Sequence, residues 1–241
     1  MHRSAILLFL LAALALPLPS QAQFEPSATA GFAEGYRMDM LQSLVRDATV
    51  PKPTRRADAG KPSARPESSP TRVTYRSSVS ARLREEILNE STGNPRSDEL
   101  LRPVIASGRL LSEYDKLMDH LGLSKSDIAD VMTAYLLVSM EAVNGQTPGA
   151  SERKAVRRAI AGKLAASPQL RALPAEDRQE LAERYAYSTL STGLTFQVLS
   201  RAGRSRDLEA FRTRVRGNVS RATGIDPGRV AATGAGLAVA R

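Results

Sequence analysis

The sequence predicts an all-α protein, a compact bundle of about six or seven helices. Two observations predict it. Apolar residues recur every three or four positions through most of residues 72–225, which is the period of one helix face. Gly, Pro, Ser and Asn interrupt those runs where helix ends are due, and no stretch alternates apolar and polar residues long enough to make a strand.

The N-terminus reads as a signal peptide over residues 1–22. Met1-His2-Arg3 is a charged start, Ala5 to Leu16 is an apolar run, and Ser20-Gln21-Ala22 places small residues for cleavage after Ala22. Twelve residues of helix rise only about 18 Å, too short for a hydrocarbon core of about 30 Å, so the segment is expected to be removed. The protein is then expected in the periplasm or secreted, not integral to a membrane. Residues 23–50 form a short amphipathic segment in which Phe32, Tyr36, Met40 and Leu44 recur every four residues. That helix either packs back on the domain or docks on a partner, and the same four residues are the candidates for docking. Residues 51–71 hold five prolines among Ser, Arg, Lys and Ala. With no large apolar side chain to bury, they are expected to be a disordered linker.

The helical domain is expected over residues 72–225. Val79, Leu83 and Ile87 mark a helix over 78–89, ended by Gly93-Asn94-Pro95. A second segment opens at Ser97 and is interrupted by Pro103. Leu110 to Leu121 follows, with Gly122 as its left-handed stop. Ser124 to Asn144 is the clearest element. Ser124 and Asp127 resemble a capping box, and most of its circumference is apolar, as expected of a central helix. On its opposite strip lie Asp130, Thr133, Leu137 and Glu141. Further helices are expected over 151–166, about 174–200 with Pro174 at its first turn, and 207–222. Gly193 predicts a close helix contact or a kink. Residues 226–241, rich in Gly and Ala, are expected to be a flexible tail.

Composition narrows the chemistry. The 241 residues include no Cys, which excludes disulfides, thiolate nucleophiles and cysteine metal sites. Of two histidines, His2 leaves with the signal, so His120 is the one imidazole of the mature chain. One His without Cys does not build the usual zinc site, so no metal and no cofactor is expected. His120 is read as a surface residue at a helix C-terminus. Ser151 and Lys154 match the Ser-x-x-Lys spacing that puts an amine one helical turn from a nucleophilic hydroxyl, as in serine hydrolases. The companion motifs are missing, and Ser151 as a helix N-cap with Lys154 in solvent is the simpler reading. Glu141, on a mostly apolar helix, is the carboxylate placed for acid–base work, against a salt bridge with arginine. An enzyme is thus left open, leaning against.

Charge is uneven. The formal +9 becomes +8 without Arg3, and residues 200–241 alone hold 9 Lys/Arg against 3 Asp/Glu. Arg206, Arg212, Arg214, Arg216 and Arg221 are therefore candidates for binding anionic envelope polymers or lipid head groups. They spread over the whole polar side of their helix without interleaved aromatics, so no specific nucleic-acid binding is expected.

Leu121-Gly122-Leu123, the stretch Asp127 to Asp130, the apolar run to Asn144-Gly145, Ser167-Pro168 and the long helix from Pro174 together resemble a family of exported bacterial proteins carrying an all-helical domain of unknown function. The likeness covers about residues 75–230. It departs in the central helix, where this chain has no Trp. The resemblance implies an envelope-exported helical domain and carries no activity and no site residues with it. The expectation is a non-catalytic helical interaction protein of the bacterial cell envelope, its partner an unknown envelope protein or an anionic polymer.

Overall fold

The structure, a computed structural model, describes residues 69, 71–89, 102–103, 105–233 and 236–239. The expected signal peptide, the amphipathic segment, the linker up to residue 68 and most of the Ser97–Val104 segment lie outside them. Seven helices have both ends among the described residues: α1 (Ser77–Asn89), α2 (Arg109–Leu121), α3 (Ile128–Asn144), α4 (Ala150–Ala165), α5 (Pro168–Ala172), α6 (Ala175–Arg201) and α7 (Ser205–Thr223). The all-helical class predicted for the domain is the class observed.

Each helix forms where its apolar spacing and its stop signals agree. In α1, Val79, Leu83 and Ile87 sit one turn apart, and all three are buried. In α2, Leu110, Tyr114, Leu117 and Met118 make the inner face. Its end is a left-handed Gly122 (φ 65°), whose amide reaches Asp119 O while Leu123 N–H returns to Met118 O at 2.9 Å. An L side chain resists that φ, so glycine fixes where α2 stops. Val156, Ile160 and Leu164 seat α4, and Phe211, Val215 and Val219 seat α7.

The middle of the bundle is α3. Every residue from Ile128 to Ala142 is buried, including Asp130, Thr133, Leu137 and Glu141 on the strip opposite the main apolar face. Neighbours α2, α4, α6 and α7 surround it. The closest partner is α6, where the Tyr135 and Tyr185 rings meet at 5.2 Å and 57°. The two helices run in the same direction. Residues 71–76 bond to the N-terminal ends of both, through Ile128 and Gln179. At the other end Arg212 lies on Ala142 O of α3 and over the Phe196 ring of α6.

Asp130 and Thr133 of α3 find their partners locally, while Ser139 Oγ is buried without one among the described residues. Asp130 receives Arg157 of α4 through two bonds (2.5 and 2.9 Å) and the amide of Ser124 at 2.9 Å. Thr133 Oγ1 returns to Ala129 O at 2.6 Å. The helix starts four residues later than the sequence suggests. Asp127 is its N-cap, accepting from Ala129 N–H at 2.8 Å. Ser124 Oγ serves the preceding turn, accepting from Ser126 N–H, so the Ser124–Asp127 capping box does not form. An extended Asp127 (φ −133°) lets the chain pair with residues 71–73 before it turns helical.

Three further boundaries differ. Gly149, not Ser151, caps α4, and Glu152 reaches back to Gly149 N–H at 2.6 Å. Ser167 opens the short helix α5, its Oγ accepting from Leu170 N–H, with Pro168 at the first helical position. Where a loose tail was expected, Val230–Thr233 (β1) and Gly236–Val239 (β2) pair antiparallel, Val230 opposite Val239 and Thr233 opposite Gly236, and lie against α4. Four-residue strands rich in Ala carry too little alternation to be legible in sequence.

Truncating Leu136, fully buried in α3, to Ala should cost about 2–5 kcal/mol of unfolding free energy in urea titration. Arg157→Leu should destabilise by about 3 kcal/mol because Asp130 stays buried without its cation, and Asp130→Leu/Arg157→Leu should recover part of that loss.

Candidate functional site

The four residues weighed for catalysis do not meet. Ser151 and Lys154 are both exposed on the first turns of α4, with no hydrogen bond joining them. His120 is exposed in the last turn of α2, beside the turn that leads into the N-terminus of α3. Glu141 is fully buried in the last turn of α3 and accepts from Thr147 Oγ1 at 2.8 Å. His120 and Glu141 are thus at opposite ends of α3, separated by about 20 Å of helix. Ser151 follows the Glu141 end, so no Ser–His pair forms. Among the described residues no group of three or more His, Asp or Glu could hold a metal ion.

The five candidate arginines have been drawn into the fold to different degrees. Arg212 pairs with Glu209 at 2.5 Å, donates to Ala142 O at 3.3 Å and covers the Phe196 ring at 5.9 Å. A cation on the terminal carbonyls of α3 meets the negative end of its dipole. Arg216 grips Asp226 with two bonds of 2.7 and 2.6 Å. Arg221 bonds Asn218, and Arg214 is half-buried on the same helix. Arg206 is exposed and makes no hydrogen bond or ion pair with the described residues. Phe32, Tyr36, Met40 and Leu44 lie outside the described residues.

The densest polar site is one the sequence reading did not single out: the seam between α1 and the first half of α6. Arg82 bonds Glu86 at 2.8 Å and Glu180 at 3.2 Å, and Arg184 bonds Glu86 at 3.0 Å and Glu180 at 3.2 Å. These four contacts close a ring of two arginines and two glutamates across the two helices. Glu180 is buried, Arg184 mostly so, and Arg82 and Glu86 face solvent.

Next to Glu180 on α6, Gln179 clamps the backbone of Arg76. Its Oε1 accepts from Arg76 N–H at 2.8 Å and its Nε2 donates to Arg76 O at 2.9 Å. Gln179 Nε2 also donates to the buried Glu183 at 2.8 Å, which accepts from Ser80 Oγ at 2.5 Å. Burial, and then the Glu183 carboxylate, raise the phenols of Tyr75 and Tyr187, while Arg84 acts in the opposite sense on Tyr187. Arg76 adds an exposed pair to Glu176 at 2.7 Å.

The chain enters this seam through a strap, residues 71–76. Val73 N–H reaches Ser126 O at 2.9 Å and Ile128 N–H reaches Thr71 O at 2.8 Å, forming a short antiparallel bridge. Tyr75 Oη donates to Lys125 O at 2.9 Å, with the Lys125 ammonium over its ring at 5.7 Å. Thr71, which the sequence reading assigned to the linker, is buried in this bridge.

The seam could have been suspected from Arg82-x-x-x-Glu86 and Glu180-x-x-x-Arg184, each an opposite-charge pair at helical spacing. Such pairs are usually solvated, and only tertiary contact sets the two face to face. Chemically, the seam holds charge in fixed geometry and joins one helix to the bundle; its carboxylates are already bonded to arginine, serine or glutamine.

Arg216 holds the Asp226 carboxyl below the usual carboxylate range, with the Gly228 amide adding to the effect. The unfolded chain therefore takes up a proton first as pH falls. The stabilisation from this pair is complete above about pH 4 and is lost as pH drops through the lowered folded value. Asp226→Asn should accordingly lower the melting temperature at neutral pH and converge with wild type in strong acid, as thermal melts across pH would record.

No curated protein and no solved structure matches this chain. The model of a family of unknown function (DUF6683) matches residues 1–240, and the chain belongs to that family.

Proposed function

We propose that this chain is exported into the bacterial cell envelope, periplasmic or secreted, and works there as a non-catalytic helical interaction protein. The observation that carries the reading is the strap. Its bridge to residues 126–128 and the Gln179 clamp fix the point at which the chain enters the bundle, at the N-terminal ends of α3 and α6. The described chain is therefore joined to the bundle at one fixed place. The Phe32, Tyr36, Met40 and Leu44 stripe, placed before a Pro-rich linker, has the pattern of an amphipathic partner-binding helix. The separation of Ser151, His120 and Glu141 supports the same reading, as does a bundle centre occupied by α3. No helix among the described residues is long and apolar enough to cross a membrane, in keeping with a domain held beside one rather than within it.

Export is tested by fusing residues 1–30 to an alkaline phosphatase lacking its own signal. The fusion should be active, and the processed protein should begin at Gln23; an inactive fusion retaining Met1 would remove the envelope from the reading. Docking is tested by cross-linking in intact cells. Replacing Phe32, Tyr36, Met40 and Leu44 by Ser should abolish a discrete envelope adduct seen with the wild-type chain. Identical adducts from both would show that this stripe does not dock.

A further inference from the structure

The α1–α6 seam differs from the other helix contacts in what holds it. Helix α3 is packed by four neighbours, whereas α1 leans chiefly on α6. Its fully buried apolar residues are three, Val79, Leu83 and Ile87, with Leu88 half-buried beside them and Val73 of the strap buried as well. The remaining attachment is polar: the Arg82–Glu86–Arg184–Glu180 ring, the Ser80–Glu183 bond and the Gln179 clamp on Arg76. We infer that the strap and α1, residues 71–89, are an acid-released clasp that opens from α6 as a unit while α3, α6 and α7 stay folded.

The ring gives the physical reason. Each of its anions is a carboxylate and each of its cations is an arginine. Acid neutralises the first and leaves the second charged. Protonating Glu86 and Glu180 would leave Arg82 and Arg184 facing each other across the seam, with Arg184 mostly buried. An ionic contact stripped of one sign is then a repulsion with a desolvation cost.

Of the other charged groups around the seam, the carboxylates lose charge in acid and the arginines and Lys125 keep theirs. Glu183 faces Ser80, Gln179, Tyr75 and Tyr187, with Arg84 beside Tyr187. Asp115 of α2 lies near Tyr75 and pairs with Lys125 at 2.6 Å. Glu176 pairs with Arg76. No cation here loses its charge in acid to offset the change. Opening would uncover Val79, Leu83 and Ile87 and the surface they cover. Sub-global opening of one weakly embedded element ahead of the core is the expected hierarchy of local stabilities.

Hydrogen–deuterium exchange on the full chain, read by peptide and corrected for the pH dependence of intrinsic exchange, tests this directly. Stepwise acidification from pH 7 should raise exchange over 77–89 by about tenfold or more relative to 128–142 before 128–142 itself loses protection. At neutral pH, Glu86→Gln/Glu180→Gln should do the same, with 128–142 still protected as in the wild type. Two results would overturn the inference: α1 and α3 losing protection in step at every pH, or the double Gln variant keeping 77–89 as protected as the wild type. If the variant does not fold, the wild-type pH series decides alone.

Discussion

Burial of α3 on all sides is the constraint on which the rest of this structure depends. A helix with one wet face leaves its polar side chains to water, but a helix with none must find every partner inside the protein. Asp130 therefore requires Arg157 from α4, and Glu141 receives Thr147 from the loop that follows. Both ends need capping by protein groups. Asp127 holds the first turn, and Gly145 with Arg212 closes the last. Of the four surrounding helices, α4 and α7 supply polar partners to it through Arg157 and Arg212.

The parallel run of α3 and α6 sets a second condition. Two aligned helix dipoles side by side repel unless their ends are compensated. The compensation is visible at both ends. Asp127 and Asp130 crowd the start of α3, and Glu176 and Asp177 the start of α6. Arg212 occupies the far end of α3 against Phe196 of α6. The strap at 71–76 belongs to the same arrangement, since its backbone and side chains bond to the start of each helix. The anionic N-terminal end is also where the arginines of α1 and the strap find their partners.

Much of the domain was legible in the sequence. The stop at Gly122 was visible, and α3 and α7 likewise end at glycines of positive φ, Gly145 and Gly224, because a residue that must take positive φ is chosen for its backbone and not for its neighbours. Apolar spacing found the inner face of α1, Val79, Leu83 and Ile87, for a related reason: one buried stripe leaves a period of 3.6. Starts were less legible. Ser124 and Ser151 both look like N-caps, yet Asp127 and Gly149 fill that position, because local hydrogen-bonding options at several residues differ by little and the rest of the fold selects among them. The β1–β2 pairing was missed for want of any alternation to read.

What the sequence by itself determined is the helical class, the order of the long helices and the want of any cysteine or histidine cluster for chemistry. These rest on local properties: spacing, backbone freedom at glycine and residue type. What only the tertiary structure decided is which charges meet. Arg212 and Arg216 read equally well as an anion-binding face, and are found holding a helix end and a turn. Arg82, Glu86, Glu180 and Arg184 read as two solvated pairs nearly a hundred residues apart, and are found as one ring. An ion pair depends on distance in space, and sequence separation carries no information about that distance until the core has been packed.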